Sequence, residues 1–110
     1  MAQNIKLIVY PAKNVEKAKA LLNKFLGIEP YVDGPYYVGY KLDDMEVGLD
    51  PNGTSVIAYT EVDNIESSLK GLLDAGATIH QEVKEVGGGL LIAQVKDANG
   101  NILGLRQSSK

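Results

Sequence analysis

The chain has 110 residues, of which 45% are apolar and 23% charged, ordinary globular material sufficient to bury one core without staples. It carries no cysteine, so disulfides and thiolate metal sites are excluded. A formal charge of -3 and a pI near 5.0 argue against a nucleic-acid partner, which needs a clustered positive surface.

The start, MAQNIKLIVYPAKN, lacks a signal-peptide h-region, and the apolar runs are too short to span a bilayer. The expectation is a cytoplasmic protein with no membrane partner. IKLIVYP (5–11) reads as a strand. NVEKAKALLNKFLG (14–27) has helical period, with Ala18, Leu21, Leu22 and Phe25 as its apolar stripe and lysines between them. Asn14 suits the N-cap, Glu16 the first turn, and Gly27 the left-handed stop. YVDGPYYVGYKL (31–42) and MEVGLD (45–50) then read as strands joined at Asp43-Asp44.

A second round follows. SVIAYTEV (55–62) is a strand, and NIESSLKGLLDAG (64–76) is a helix with the stripe Ile65, Leu69, Leu72 and Leu73. Asn64 is its cap, Glu66 its first-turn acid and Gly76 its stop. The interior Gly71 weakens this helix by about 1 kcal/mol relative to Ala, so close packing is expected there. ATIHQEV (77–83), LLIAQVK (90–96) and NILGLRQ (101–107) complete the strands, with Asn99-Gly100 as a hairpin signal between the last two. Gly87-Gly88-Gly89 precedes no helix and reads as a plain turn rather than a phosphate cradle.

The pattern is strand, helix, strands, twice over, in modules of about 4–51 and 54–108. Asn14-Val15-Glu16 matches Asn64-Ile65-Glu66, and Val47-Gly48-Leu49 matches Leu103-Gly104-Leu105. Two βαβββ modules in one short chain resemble the vicinal oxygen chelate superfamily, the glyoxalase and bleomycin-resistance fold. KDANGNILGLRQ resembles that superfamily's closing "D-P-D-G-N-x-x-E-L" signature, and AKNVEKAKALLNKFLG its first strand-to-helix passage. The resemblance implies one α+β domain, a cupped, mostly antiparallel sheet with helices on its outer face. It also implies a homodimer.

Metal-using members of the superfamily place four ligands, commonly His, Gln or Glu, on four strands around a shared cup. Carried over, those places fall on Leu7, Gly48, Ile57 and Gly104, and none of these side chains can coordinate a divalent cation. The expectation is therefore no metal and no cofactor. Strand alternation gives an independent view. Ile8, Val47, Leu49, Val56, Ala58, Leu103 and Leu105 share one parity and can pack under helices. The other parity is mixed and holds Leu7, Val9, Glu46, Gly48, Asp50, Ile57, Tyr59, Ile102, Gly104 and Arg106. Glycine within a strand marks either space for a close approach or a bulge with strong coiling, and here both glycines read as space in a concave face with Leu7 and Ile57 as its apolar lining.

Four of the six tyrosines fall in PYVDGPYYVGY, where they suit ligand stacking, a subunit interface, or simply strands. Arg106 could pair with Glu46 or Asp50, or clamp a carboxylate. His80 and Glu82 would share a strand face, but two ligands make a weak metal clip. The reading that results is a metal-free protein binding an amphipathic or planar small molecule through Leu7, Tyr37, Glu46, Gly48, Ile57, Tyr59, Gly104 and Arg106. The alternatives are a metal-dependent lyase, isomerase or dioxygenase-like enzyme with non-standard ligands such as Glu46, His80 and Glu82, and a dimeric interaction or regulatory module.

Overall fold

The computed structural model describes residues 2–109. Eight strands and two helices put the chain in the α+β class, and it divides into two compact units, Lys6–Ile57 and the remainder, which is chiefly the chain from Ala58 onward. The first contains most of β1 (Ile5–Pro11), then α1 (Val15–Leu26), β2 (Val32–Asp33), β3 (Val38–Lys41) and β4 (Glu46–Asp50). Its strands lie in the order β2-β3-β4-β1, antiparallel except for the β4–β1 pair. The second unit contains nearly all of β5 (Ile57–Glu61), then α2 (Ile65–Asp74), β6 (Thr78–Glu85), β7 (Leu91–Lys96) and β8 (Ile102–Gln107). Its order is β5-β8-β7-β6, again with one parallel pair, β5–β8. The repeat read from the sequence is thus a repeat of topology: βαβββ twice.

Both helices begin where their asparagines dictate. Asn14 Oδ1 accepts the Lys17 amide at 3.1 Å and Asn64 Oδ1 accepts the Ser67 amide at 3.0 Å, each satisfying a donor the first turn cannot pair internally. Gly27 ends α1 at φ 75°, the left-handed stop expected. Helix α2 ends at Ala75 in ordinary right-handed geometry, with Gly76 following at φ 112°.

The helices cover one face of each unit's sheet. Helix α2 lays Ile65, Leu69, Leu72 and Leu73 on Val62, Ala93, Val95 and Leu105, the stripe anticipated. Helix α1 differs. Val15, Ala18, Leu22 and Leu26 pack against Val38, Tyr40, Val47 and Leu49, whereas Leu21 is 69% and Phe25 80% exposed. Each of those two precedes a core residue by one step, about 100° around the helix, so the apolar face is wider than the core it covers. Tyr40 is the polar exception under α1. Its hydroxyl donates to Asn23 Oδ1 at 2.6 Å and lies 3.2 Å from the Lys19 carbonyl, and burial raises its pKa above the usual tyrosine value.

Two local expectations change. The segment 31–42 is not one strand: Gly34 and Tyr37 close a turn through a 3.0 Å backbone bond, and Pro35, which has no amide proton, sits at its tip between β2 and β3. The last hairpin is not a two-residue turn. Asp97 organises residues 97–101 by accepting the Asn99 and Asn101 amides at 2.9 and 2.8 Å and the Asn101 side chain at 3.1 Å, with Gly100 at φ 85°.

Candidate functional site

In each unit the face of interest is the one turned away from its helix. Register fixes its occupants in each unit. In the first, Leu7 opposes Glu46, and Val9 and Gly39 flank Gly48 on its two sides. In the second, Tyr59 and Gln94 flank Gly104, Glu61 opposes Arg106, and Gln81 opposes Gln94.

The two glycines are neither open hollows nor bulges. Strands β4 and β8 run in unbroken register with β3 and β7, which removes the bulge explanation. The space above each glycine is taken by the chain's own tyrosine. A Cβ built on Gly48 would stand 2.6 Å from Tyr37 Cζ, 2.7 Å from Tyr37 Cε1 and closer still to its hydroxyl; on Gly104 it would stand 2.7 Å from Tyr59 Cγ, 2.8 Å from Tyr59 Cε1 and closer to Cδ1. Carbon atoms pack at about 3.5–4.0 Å, so each ring occupies volume that any other residue would need for itself. Gly39, across from Gly48, is overlaid in the same way by Tyr37 and Tyr31. An aromatic ring covering a strand glycine is a known way to stabilise a sheet where a side chain is missing. The expectation of an unfilled space is corrected: glycine and tyrosine form one packed unit, twice.

Around the first pair, the half-buried Tyr37 follows the 34–37 turn, Leu7 is buried, and Ile57 is half-buried at the start of β5. Glu46 accepts a short hydrogen bond from the Tyr31 hydroxyl, and the Lys41 ammonium lies 5.0 Å from the Tyr31 ring centroid. Around the second pair, Tyr59 is 5% exposed and its hydroxyl accepts from Gln94 Nε2 at 2.7 Å. Gln94 is itself 8% exposed. Arg106 forms an ion pair with Glu61 at 3.5 Å, a partner the sequence reading did not name; Glu61 also accepts the Ser108 amide at 2.8 Å.

The other candidates fall elsewhere. His80 and Glu82 are exposed on β6, and Tyr10, Tyr31 and Tyr36 are exposed as well. Tyr40 belongs to the core beneath α1. A cavity of about 440 Å³ lies on the opposite face of the second unit, where Ser68, Gly71 and Leu72 of α2 meet Ala58, Thr60 and Leu103. A Cβ on Gly71 would meet nothing within 4 Å, so close packing does not account for this glycine. Gln81 and Gln94, which sequence reasoning passed over, share the tyrosine face. Gln94 was recoverable, because in IAQVK it alternates with the core residues Ala93 and Val95 and must point away from them.

The chemistry available on the first unit's face is stacking on Tyr37 and charge at Glu46; on the second unit's face it is hydrogen bonding by the neutral amides and the Tyr59 phenol, and charge at Glu61 and Arg106. The positions that the resemblance assigns to metal ligands carry Leu7, Gly48, Ile57 and Gly104, whose side chains offer no donor, and tyrosine rings lie over both glycines. Among the described residues, no group of three or more His, Cys, Asp or Glu side chains could hold a metal ion.

No family model matches the chain, and no curated protein does. Solved structures do. A glyoxalase/bleomycin resistance protein/dioxygenase superfamily member from Vibrio splendidus 12B01 superposes with a TM-score of 0.75 at 17% identity, covering 98% of this chain and 100% of that one. A Streptomyces coelicolor methylmalonyl-CoA epimerase variant, in complex with 2-nitronate-propionyl-CoA, gives 0.82 at 14% identity over 99% and 96%. The hypothetical protein BH1468 from Bacillus halodurans C-125 gives 0.81 at 11% identity over 100% and 97%. At such identities the likeness speaks to architecture alone, and the chain has the fold of the vicinal oxygen chelate superfamily.

Proposed function

We propose that this chain is a metal-free small-molecule-binding protein of the glyoxalase/bleomycin-resistance type. It takes an amphipathic or planar ligand on a sheet face that carries a tyrosine over a glycine, Tyr37 in the first unit and Tyr59 in the second. The observation that carries this reading is the glycine–tyrosine unit, formed at Gly48 and again at Gly104: at two places where the resemblance puts a metal-binding carboxylate, this chain has an aromatic ring seated on a glycine. The half-buried ring of Tyr37 offers a flat apolar surface with a polar edge, which suits stacking of a planar group. In the first unit Leu7 and Ile57 supply apolar wall and Glu46 supplies charge; in the second Arg106 supplies charge for an amphipathic ligand's polar end. Gly48 and Gly104 act through the rings they seat. The whole chain acts as a single domain, a homodimer in the cytoplasm, on this reading.

Thermal melting tests it. Ni, Zn and Mn salts are expected to leave the melting temperature unmoved. A planar compound present at about a hundred times its Kd adds roughly 2.7 kcal/mol of stability, a rise of about ten degrees for a domain this size. A large shift with a metal ion and none across a library of planar neutral and cationic compounds would sink the proposal in favour of metal-dependent chemistry.

A further inference from the structure

We propose that Gln81 and Gln94 form a polar subsite on the tyrosine face, one that recognises a neutral hydrogen-bond acceptor, a carbonyl or ring nitrogen, on the bound molecule. This rests on the binding face proposed above. Register is the first support. Strand β6 begins in phase with β7, Thr78 opposite Lys96 and Ile79 opposite Val95. Continued regularly, that phase would set Gln81 opposite Ala93, a core position beneath α2. Instead the register shifts between Ile79 and Gln81, and again between Gln81 and Lys84, so that Gln81 stands opposite Gln94. Bulges re-aim side chains. These two bring one particular amide to the face where Gln94 meets Tyr59.

Hydrogen bonding is the second support. Gln94 Nε2 is committed to the Tyr59 hydroxyl at 2.7 Å. Gln81 Nε2 is buried and has no hydrogen-bond partner among the described residues. A buried amide donor left unmet loses its hydration for nothing, and a fold normally removes such a group or pairs it. Its retention beside a satisfied glutamine marks a place for an acceptor from outside. A site built to donate to an acceptor also rejects analogues lacking one, because the donor then stays unmet. An uncharged acceptor fits, since both flanking groups are neutral and the nearby Arg106 is already paired with Glu61.

A matched pair of probes tests this, 1-indanone and indane, which share a fused-ring skeleton and differ by one carbonyl. Binding is followed by NMR on protein carrying ¹⁵N-labelled glutamine, for the native chain and for Gln81→Leu. The native chain is expected to bind 1-indanone about tenfold more tightly than indane, with the Gln81 side-chain amide resonances shifting on addition. Gln81→Leu should erase that preference, keep its indane affinity within about twofold, and melt higher than the native protein when unliganded, because the unmet donor is gone. Equal affinity for the two probes in the native chain, or a lower melting temperature for Gln81→Leu, overturns the subsite while the binding face stands. Failure of both probes to bind the native chain overturns the binding face and the subsite with it.

Discussion

Gly104→Ala tests whether glycine and tyrosine act as one packed unit. The backbone at Gly104 has no positive φ, so alanine is conformationally allowed. Relief of glycine's entropy cost within a strand would by itself stabilise by about 0.5–1 kcal/mol. Against this, the new methyl would lie 2.7 Å from Tyr59 Cγ. That atom is the ring's root rather than its tip, so it cannot swing clear by a small rotation. Overpacking of this kind costs about 1–3 kcal/mol, and displacing the ring also strains the hydrogen bond from the buried Gln94, worth about another 1 kcal/mol. The net expectation is a loss of about 1–3 kcal/mol, read by urea denaturation as a lower midpoint with an unchanged slope. In a Tyr59→Ala background the overlap is absent, and the same Gly104→Ala change should become neutral or stabilising. Gly48→Ala is the contrasting case: the added methyl meets the hydroxyl, Cζ and Cε1 of Tyr37, the far end of a half-buried ring that can give way. Its cost should stay below about 1 kcal/mol. If Gly104→Ala leaves the midpoint unmoved, or lowers it equally with and without Tyr59, the packed-unit account is wrong.

Three further outcomes are expected. Gly71→Ala should raise stability by about 1 kcal/mol in the same denaturation assay, since it improves helix propensity and its methyl enters open space. Asp97 has its pKa lowered, first by the Asn101 side-chain hydrogen bond and then by backbone amides of the turn. A depressed carboxylate contributes stability above its unfolded value of about 3.9 and loses it as the pH falls below that, so the native chain should lose more stability than Asp97→Ala between pH 5 and 3 in parallel melts. For the proposed homodimer, the exposed Leu21 and Phe25 of α1 are the apolar surface to probe. Leu21→Lys with Phe25→Lys should convert a dimer to a folded monomer by sedimentation velocity; a dimer unaffected by both changes uses another surface.

The features legible in the sequence were those governed by local rules. Asn14, Asn64 and Gly27 act at the helix ends where hydrogen-bond geometry demands them, and the alternation around Gly48 and Gly104 assigned both glycines to the face opposite the helices. What escaped depended on contacts across strands. Alternation tells which way a side chain points but not which neighbour's side chain lies over it, so Tyr59 and Gly104 were read as separate lining residues although they are register partners. Leu21 and Phe25 satisfied the helical period, yet period alone cannot measure how wide a core the helix covers.

Gln81 marks the sharper limit. A strict period of two from Ile79 would place Gln81 on the core side with Ile79, where a glutamine has no place. The conflict between alternation and chemistry was itself the available signal, because a polar residue in phase with the core requires either a buried partner or a change of register. The structure resolves it by the register change and leaves the amide donor open. On the subsite proposed above, that open donor is what the register change serves, at the one member of the Gln81–Gln94 pair where polarity and parity disagree.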